Sequence, residues 1–361
     1  MNSQVLEYRV LSNLGSGSGH QVMKVQHNST AQILAMKIEK SPQLGQLESE
    51  VSILKQLKSI DGVPQLLDYG KTKDFRCYLI TPILKRNLQE ILKDNTMSIN
   101  QILTIGLSIL KILEQVHKKH ILHLDIKPEN IMISSSHIKV SLEEIAQPGF
   151  VQLIDFGLSQ KVGQINSQNK VFVGSIRYAS RQAHKGNQLY YKDDLESLLY
   201  VLVYLRNKNL PWQTTQKYQS QQMEIRKIGE VKDAVFNTMD LTQRFPQQFT
   251  AFKTYIDGLA KAEMPNYDYL KSLFRQMLSQ EKYSPAQQHT ASILTQSNSY
   301  KESNKIQISD QMIQLFQHLQ KQDQLLNEED LSDTETSIVL ISDLVKTFNT
   351  QTPKSIVDIK F

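Results

Sequence analysis

The 361-residue sequence has very little cysteine and no long apolar run. Its single cysteine, Cys77, excludes a disulfide framework and a zinc site built from several cysteines, and it fits a reducing compartment. No stretch reaches about 18 consecutive apolar residues, so we expect neither a membrane span nor a membrane partner. The first residues carry no basic and apolar signal segment, and we expect a cytoplasmic protein, with the nucleus left open.

Neither sign of charge predominates strongly in the sequence. Lys and Arg number 41 against 36 Asp and Glu, a net charge of +5 that is too mild to indicate a nucleic-acid partner. The apolar content of 40% and the charged content of 21% are typical of a folded globular protein. We take a monomer as the default state.

The hydrophobic pattern changes along the chain. Four β-type segments lie in the first 85 residues, at 8–14, 21–26, 33–39 and 77–81, interrupted by a helical stripe that runs from Leu47 to Leu57. Helical spacing dominates after Pro82, and a Gln/Ser-rich stretch begins near Ser284. The pattern predicts a small β-rich lobe, a larger helical lobe with a cleft between them, and a tail with short amphipathic helices.

The strongest chemical signal is the segment His-Leu-Asp-Ile-Lys-Pro-Glu-Asn at 123–130, followed by Asp-Phe-Gly at 155–157. Phosphoryl transfer needs a carboxylate to orient the attacking hydroxyl and a cation near the transferred phosphate, which Asp125 and Lys127 would provide. It also needs oxygen ligands for Mg²⁺, and Asn130 and Asp155 are of that type. Both motifs in this order favour this interpretation over two unrelated surface turns.

These motifs resemble the catalytic loop and the metal-binding triplet of eukaryotic serine/threonine protein kinases. Four later segments resemble the casein kinase I family in particular, and they lie at 174–180, 193–198, 210–213 and 264–270. The resemblance covers residues 7 to 283 and implies the α+β, two-lobed kinase fold. It places the N-lobe at 1–84, the C-lobe at 85–284 and the linker with its tail at 285–361.

The resemblance implies ATP and Mg²⁺ as cofactors. Lys37 would grip the phosphates with Glu48 as its partner; Glu50 is the alternative, turned by about 200° on the same helix. Asn130 and Asp155 would hold the metal and contact the nucleotide. The remaining nucleotide-binding positions lie in the glycine loop, on the strands and at the hinge: Gly15, Ser16, Gly17, Ser18, Val22, Ala35, Thr81 and Leu84.

The chain departs from the family pattern at several positions. His20 stands where the third glycine of the loop is expected, and Leu124 stands where an arginine between the loop histidine and aspartate is usual. In other kinases that arginine pairs with a phosphorylated activation loop, so Leu124 predicts a loop that is ordered without phosphate. The usual Ala-Pro-Glu triplet after the activation segment is absent.

The resemblance also implies protein substrates with acidic or phosphorylated residues upstream of the target Ser or Thr. Arg177 and Lys217 match the basic site that reads them, although the segment before Lys217 is shorter than in the family and Thr214 replaces an expected glycine. Ser332 and Thr336 in the acidic tail resemble such targets, which suggests an intramolecular tail contact; a solvated acidic linker is the alternative.

Two other functions compete with an active protein kinase. A pseudokinase would keep the fold for nucleotide or protein binding, and only His20 and Leu124 favour it. A small-molecule kinase is disfavoured by the Arg177 segment, which indicates peptide recognition.

Overall fold

The structure is a computed structural model that describes residues 7–17, 19–42, 45–94, 96–134, 140–163, 171–213 and 218–283. Ser18, Lys217 and the predicted tail at 285–361 therefore lie outside the described residues. One compact unit comprises Met1–Gly229 with Leu241–Lys282 and contains both lobes. The other contains Glu230–Asp240 and the residues from Tyr283 onward.

The N-lobe is a five-stranded antiparallel sheet with one helix. Its elements in chain order are β1 (Tyr8–Ser16), β2 (His20–His27), β3 (Ile33–Glu39), α1 (Gln46–Gln56), β4 (Asp68–Lys71) and β5 (Cys77–Pro82). The strand order is β1-β2-β3-β5-β4, so β3 lies at the centre of the sheet. The β-type segments and the helical stripe of the sequence all fall on these elements.

Alternation along the strands separates two faces of the sheet. One face is a buried hydrophobic cluster to which β2 contributes Val25 and β3 contributes Leu34, Met36 and Ile38. The residues between them, including Lys37, lie on the opposite face, which is covered by α1 and borders the C-lobe. The alternation therefore fixes which side chains can reach the cleft.

The C-lobe is helical, with two small sheets. Its elements are β6 (Arg86–Asn87), α2 (Leu88–Asp94), α3 (Ile99–Lys118), β7 (Ile121–Leu122), β8 (Ile131–Ile133), α4 (Leu142–Ala146), β9 (Val151–Leu153), β10 (Gln160–Lys161), α5 (Arg181–His184), α6 (Tyr191–Asn207), α7 (Gln221–Thr238), α8 (Gln248–Gly258) and α9 (Tyr267–Tyr283). Strands β6, β8 and β9 form one sheet, and β7 pairs with β10. A 3-10 turn at Pro128–Asn130 precedes β8.

Helix α3 is the core helix of this lobe. Ser98 and Gln101 form a capping box at its start, which satisfies backbone N–H groups that have no partner inside the helix. Its buried residues face α4 and α6. Among the described helices it alone has the length and apolar composition to cross a membrane, yet about half of its apolar window is buried inside the protein.

Gly106 marks the closest approach of α3 to its neighbours. A Cβ atom at this position would lie 2.5 Å from the ring of Phe274 and 3.1 Å from Leu202, both fully buried. Gly258, at the end of α8, has open space where a Cβ would stand.

We predict that Gly106→Ala lowers the free energy of unfolding by about 1–2 kcal/mol, because overpacking outweighs the better helix propensity of alanine. Gly258→Ala is the matched control and should be neutral or slightly stabilising. Urea unfolding of both variants measures the difference. A Gly106→Ala protein as stable as the control would contradict the packing described for α3.

Candidate active site

Lys37 joins the sheet, helix α1 and the C-lobe. Its Nζ donates to Glu50 Oε2 at 2.7 Å and to Asp155 Oδ1 at 2.7 Å. Burial lowers the pKa of Lys37, but the two carboxylates outweigh it and raise the pKa above its usual value. The ammonium group is therefore charged at neutral pH.

The partner of Lys37 is Glu50, and the prediction of Glu48 is wrong. The side chain of Glu50 is 4% exposed, whereas that of Glu48 is 57% exposed and pairs with Lys71. Two residues turn a helix by about 200°, so only one of these carboxylates can face the cleft. Glu50 lies next to the buried stripe of α1, which includes Val51.

A second cluster surrounds the carboxylate of Asp125. Lys127 Nζ donates to Asp125 Oδ2 at 2.6 Å, and Asn130 Nδ2 donates to the same oxygen at 3.0 Å. Ser175 Oγ donates to Asp125 Oδ1 at 2.7 Å and accepts from Lys127 Nζ at 3.0 Å. The structure thus brings Asp125, Lys127 and Asn130 together as the sequence predicts, and it adds Ser175.

The backbone before Asp125 is held by a buried carboxylate that carried no predicted role. Asp194, on α6, accepts from the backbone N–H of His123 at 2.7 Å and of Leu124 at 2.8 Å, and it meets His117 Nε2 at 2.9 Å. Burial raises the pKa of Asp194, but His117 and the backbone donors outweigh it and lower the pKa. Leu124 adopts a left-handed φ of 67° in this arrangement.

The Asp-Phe-Gly triplet is fixed by contacts on both sides. Phe156 is buried against the ring of His123, with 4.7 Å between ring centroids. Burial lowers the pKa of His123, and the neutral ring has partners for both nitrogens, the carbonyl of Ile154 and the N–H of Asp125. Asp155 itself has a left-handed φ of 66°, which directs its carboxylate toward Lys37.

Asn130 and Asp155 offer a donor set that fits Mg²⁺. The N–H of Ile154 donates to the carbonyl of Asn130 at 2.9 Å, so the two candidate ligands belong to adjacent backbone segments. Amide and carboxylate oxygens are the hard ligands that Mg²⁺ prefers. Within the described part of the chain no group of three or more His, Cys, Asp or Glu residues could hold a metal, so a dense metal site of that kind is not found there.

Comparison with known proteins decides the family. The chain matches the protein kinase domain over residues 8–347. It belongs to the protein kinase family. It is 27% identical over 292 residues to a probable casein kinase I homolog of Encephalitozoon cuniculi. The aligned region covers 78% of this chain and 91% of that protein. The predicted two-lobed fold is confirmed, and the protein is a casein kinase I-like kinase.

In the part of the activation segment that the structure describes, from residue 171 onward, apolar side chains pack against Leu124, which stands where other kinases use arginine. Leu124 is 5% exposed and belongs to a buried cluster with Ala179 and Tyr191, against which Phe172 and Val173 pack. We call these five residues the Leu124 cluster. For residues 172–179, the cluster supports the prediction of a segment that is held without phosphate.

Gly174 follows the Leu124 cluster at a point where the backbone approaches closely. Its φ is 109°, and a Cβ there would lie 2.8 Å from the carbonyl oxygen of Leu124. Glycine is required for this approach, which places the next residue, Ser175, beside Asp125.

The end of the activation segment is fixed to α6 by polar contacts. Ser180 Oγ donates to Asp193 at 2.6 Å, and Arg181 donates to Glu196 through its backbone N–H at 2.8 Å and through Nε at 3.1 Å. Arg181 also reaches Asp257 at 2.8 Å. These contacts anchor the end of the segment in a kinase that has no Ala-Pro-Glu triplet, and no motif in the sequence predicted them.

Among the predicted nucleotide positions that the structure describes, those on β2, β3 and β5 share the face of Lys37. In the strand register Val22 is opposite Lys37, and Ala35 is opposite Thr81. Leu84 is half-buried directly after β5. Gly15 and Ser16 end β1, and Gly17 begins the turn to β2.

Of the two predicted anion-site residues, the structure describes Arg177. Arg177 is an exposed residue, and its guanidinium carbon lies 5.9 Å from the ring centroid of Tyr204 and 6.0 Å from that of Tyr178. Trp212 Nε1 donates to the carbonyl of Arg177 at 2.7 Å and fixes its backbone.

We predict that Glu50→Gln lowers kcat/KM roughly tenfold or more, because removing one partner of a buried ion pair leaves the other uncompensated. Glu48→Gln should stay within about twofold of wild type, since an exposed pair contributes little. Initial rates of phosphoryl transfer to casein measure both. Equal losses in the two variants would contradict the assignment of Glu50.

We also predict that Leu124→Ala lowers the free energy of unfolding by about 2–5 kcal/mol, the usual cost of emptying a buried leucine site. Leu67→Ala is the control, because Leu67 is 40% exposed. Urea unfolding compares the two. If both variants lose equally little stability, the Leu124 cluster does not anchor the segment.

Proposed function

We propose that this kinase phosphorylates serine and threonine in proteins, using ATP with Mg²⁺, and prefers targets preceded by acidic or phosphorylated residues. The observation that carries the proposal is the contact between Asp125 and the hydroxyl of Ser175 at 2.7 Å. This contact supports a role for the Asp125 carboxylate in binding and orienting an aliphatic hydroxyl. The target serine or threonine of the proposed substrates carries the same chemical group.

Asp125 would act on the substrate hydroxyl. It would accept the hydrogen bond of the incoming Ser or Thr and take its proton as the new oxygen–phosphorus bond forms and the bond to the leaving ADP breaks. Asn130 donates to the same carboxylate at 3.0 Å and restricts its orientation. Positioning of this kind lowers the entropic part of the barrier.

Two lysines would supply positive charge at different points of the nucleotide. Lys127, at 2.6 Å from Asp125, would stabilise the charge that develops on the transferred group. Lys37, held by Glu50 and Asp155, would contact the phosphates nearer the adenosine. When bound, Mg²⁺ would neutralise phosphate charge, with Asn130 and Asp155 as the residues that hold it.

Substrate preference would depend on Arg177. An exposed guanidinium with a fixed backbone can donate two parallel hydrogen bonds to a phosphate or carboxylate. Its place in the segment that follows Ser175 puts it on the same stretch of chain as the proposed hydroxyl site. Lys217 and the tail sites remain predictions from the sequence.

The pseudokinase is the second candidate. Loss of Lys37, Asp125, Asn130 or Asp155 would favour it, and all four are present in a connected set of contacts. The active enzyme is therefore the better supported proposal.

We predict transfer of label from ATP to a serine peptide that carries phosphoserine three residues upstream, with a slower reaction on the peptide carrying alanine there. Asp125→Asn should reduce the rate by about 10²–10⁴, the range for loss of a general base. Arg177→Ala should raise KM about tenfold for the primed peptide, as expected for a lost charge-assisted hydrogen bond, and leave the alanine peptide unchanged.

Phosphoamino-acid analysis of labelled casein completes this test. Label on serine and threonine is expected. Label on tyrosine, or equal rates on the two peptides, would contradict the substrate class. Nucleotide binding without any transfer would favour the pseudokinase.

A further inference from the structure

His20 lies on the face of the sheet that borders the nucleotide cleft. It begins β2 and pairs with Glu39 of β3, while Val22, two residues later, pairs with Lys37. His20 is therefore the diagonal neighbour of Lys37 on one face, and such neighbours are within reach of long side chains. The imidazole therefore shares its face of the sheet with the lysine proposed to bind phosphate.

The ring of His20 carries a buried polar atom without a partner. Its Nε2 is shielded from solvent and makes no hydrogen bond among the described residues. Buried polar atoms in proteins nearly always have a partner, so an exception calls for a ligand or another explanation. The neighbouring strand residues Val22 and Lys37 do not satisfy it.

The backbone around His20 is held in place. The N–H of Gly17 donates to the carbonyl of His20 at 2.9 Å, and the N–H of Lys40 donates to the carbonyl of Gly19 at 3.0 Å. Lys40 Nζ also donates to the carbonyl of Gly17. The two bonds from Lys40 hold Gly17 and Gly19 against the end of β3. The backbone that carries the imidazole is therefore fixed by hydrogen bonds.

The charged groups near the ring are Lys37, Glu39, Lys40 and Asp155. Burial and then the charge of Lys37 lower the pKa of His20. The imidazole is therefore neutral near neutral pH, and the tautomer with its proton on Nε2 can still donate one hydrogen bond.

We propose that His20 is a phosphate-binding residue of the nucleotide site, with Nε2 donating to a phosphate oxygen. The proposal rests on the proposed function, because ATP brings that oxygen to the cleft. A phosphate oxygen of bound nucleotide would be the partner that Nε2 lacks. In this position a glycine could give only its backbone N–H.

The test compares nucleotides with and without phosphate. Full-length wild type and His20→Gly, His20→Gln and Gln21→Gly are titrated with Mg²⁺-ATP, Mg²⁺-ADP and adenosine in a calorimeter. His20→Gln keeps an N–H donor. Gln21→Gly is the matched control, because it frees the neighbouring backbone while its side chain belongs to the other face of the strand.

We expect His20→Gly to bind ATP and ADP about tenfold more weakly, the usual loss for a hydrogen bond to a charged group, with adenosine unchanged. His20→Gln should recover most of the affinity, and Gln21→Gly should match wild type. In the wild-type protein, ATP but not adenosine should shift the ¹⁵N resonance of the His20 ring, a readout that needs no folded variant.

Several results would overturn the proposal. Unchanged or tighter ATP binding by His20→Gly, in a wild type that transfers phosphate, would reject only the role of His20; tighter binding would mean that the ring obstructs the site. Equal losses for ATP and adenosine would indicate a loop effect. A wild type that binds no ATP would reject the proposed function together with this one.

Discussion

The bridge from Lys37 to Glu50 and Asp155 is the interaction on which the rest of this kinase depends. It joins the central strand of the N-lobe sheet, the only N-lobe helix in the described part of the chain, and the Asp-Phe-Gly triplet of the C-lobe. A buried ammonium group needs such partners, because desolvation opposes its charge. The bridge forms only when three features orient its side chains toward one another. The register of β3 orients Lys37, the rotation of α1 orients Glu50, and the left-handed backbone of Asp155 orients its carboxylate.

In the C-lobe, contacts within the chain also hold the catalytic residues in place. Asp194 holds the backbone before Asp125, and the Leu124 cluster holds the segment that delivers Ser175 to it. Both sets of contacts are formed by unmodified side chains and backbone groups, without a phosphate. They support an enzyme whose activity does not wait for a phosphate on the activation segment, in contrast to kinases that use an arginine there.

Much of this arrangement could be predicted from the sequence. Alternation and helical spacing indicated the sheet and its helix, and two fixed motifs identified Asp125 and Asp155. The choice between Glu48 and Glu50 could not be made, since two glutamates on one helix differ only in rotation, which tertiary packing decides. The role of Asp194 was equally hidden, because it depends on backbone groups about 70 residues away.

We infer that contacts within the chain assemble the catalytic arrangement before any activating modification. The most direct test is the time course of phosphoryl transfer to casein by enzyme that has been treated with a phosphatase and then separated from it. We expect a linear course from the first time point and the same initial rate as untreated enzyme. A lag that shortens as the enzyme phosphorylates itself, or an inactive treated enzyme, would contradict it.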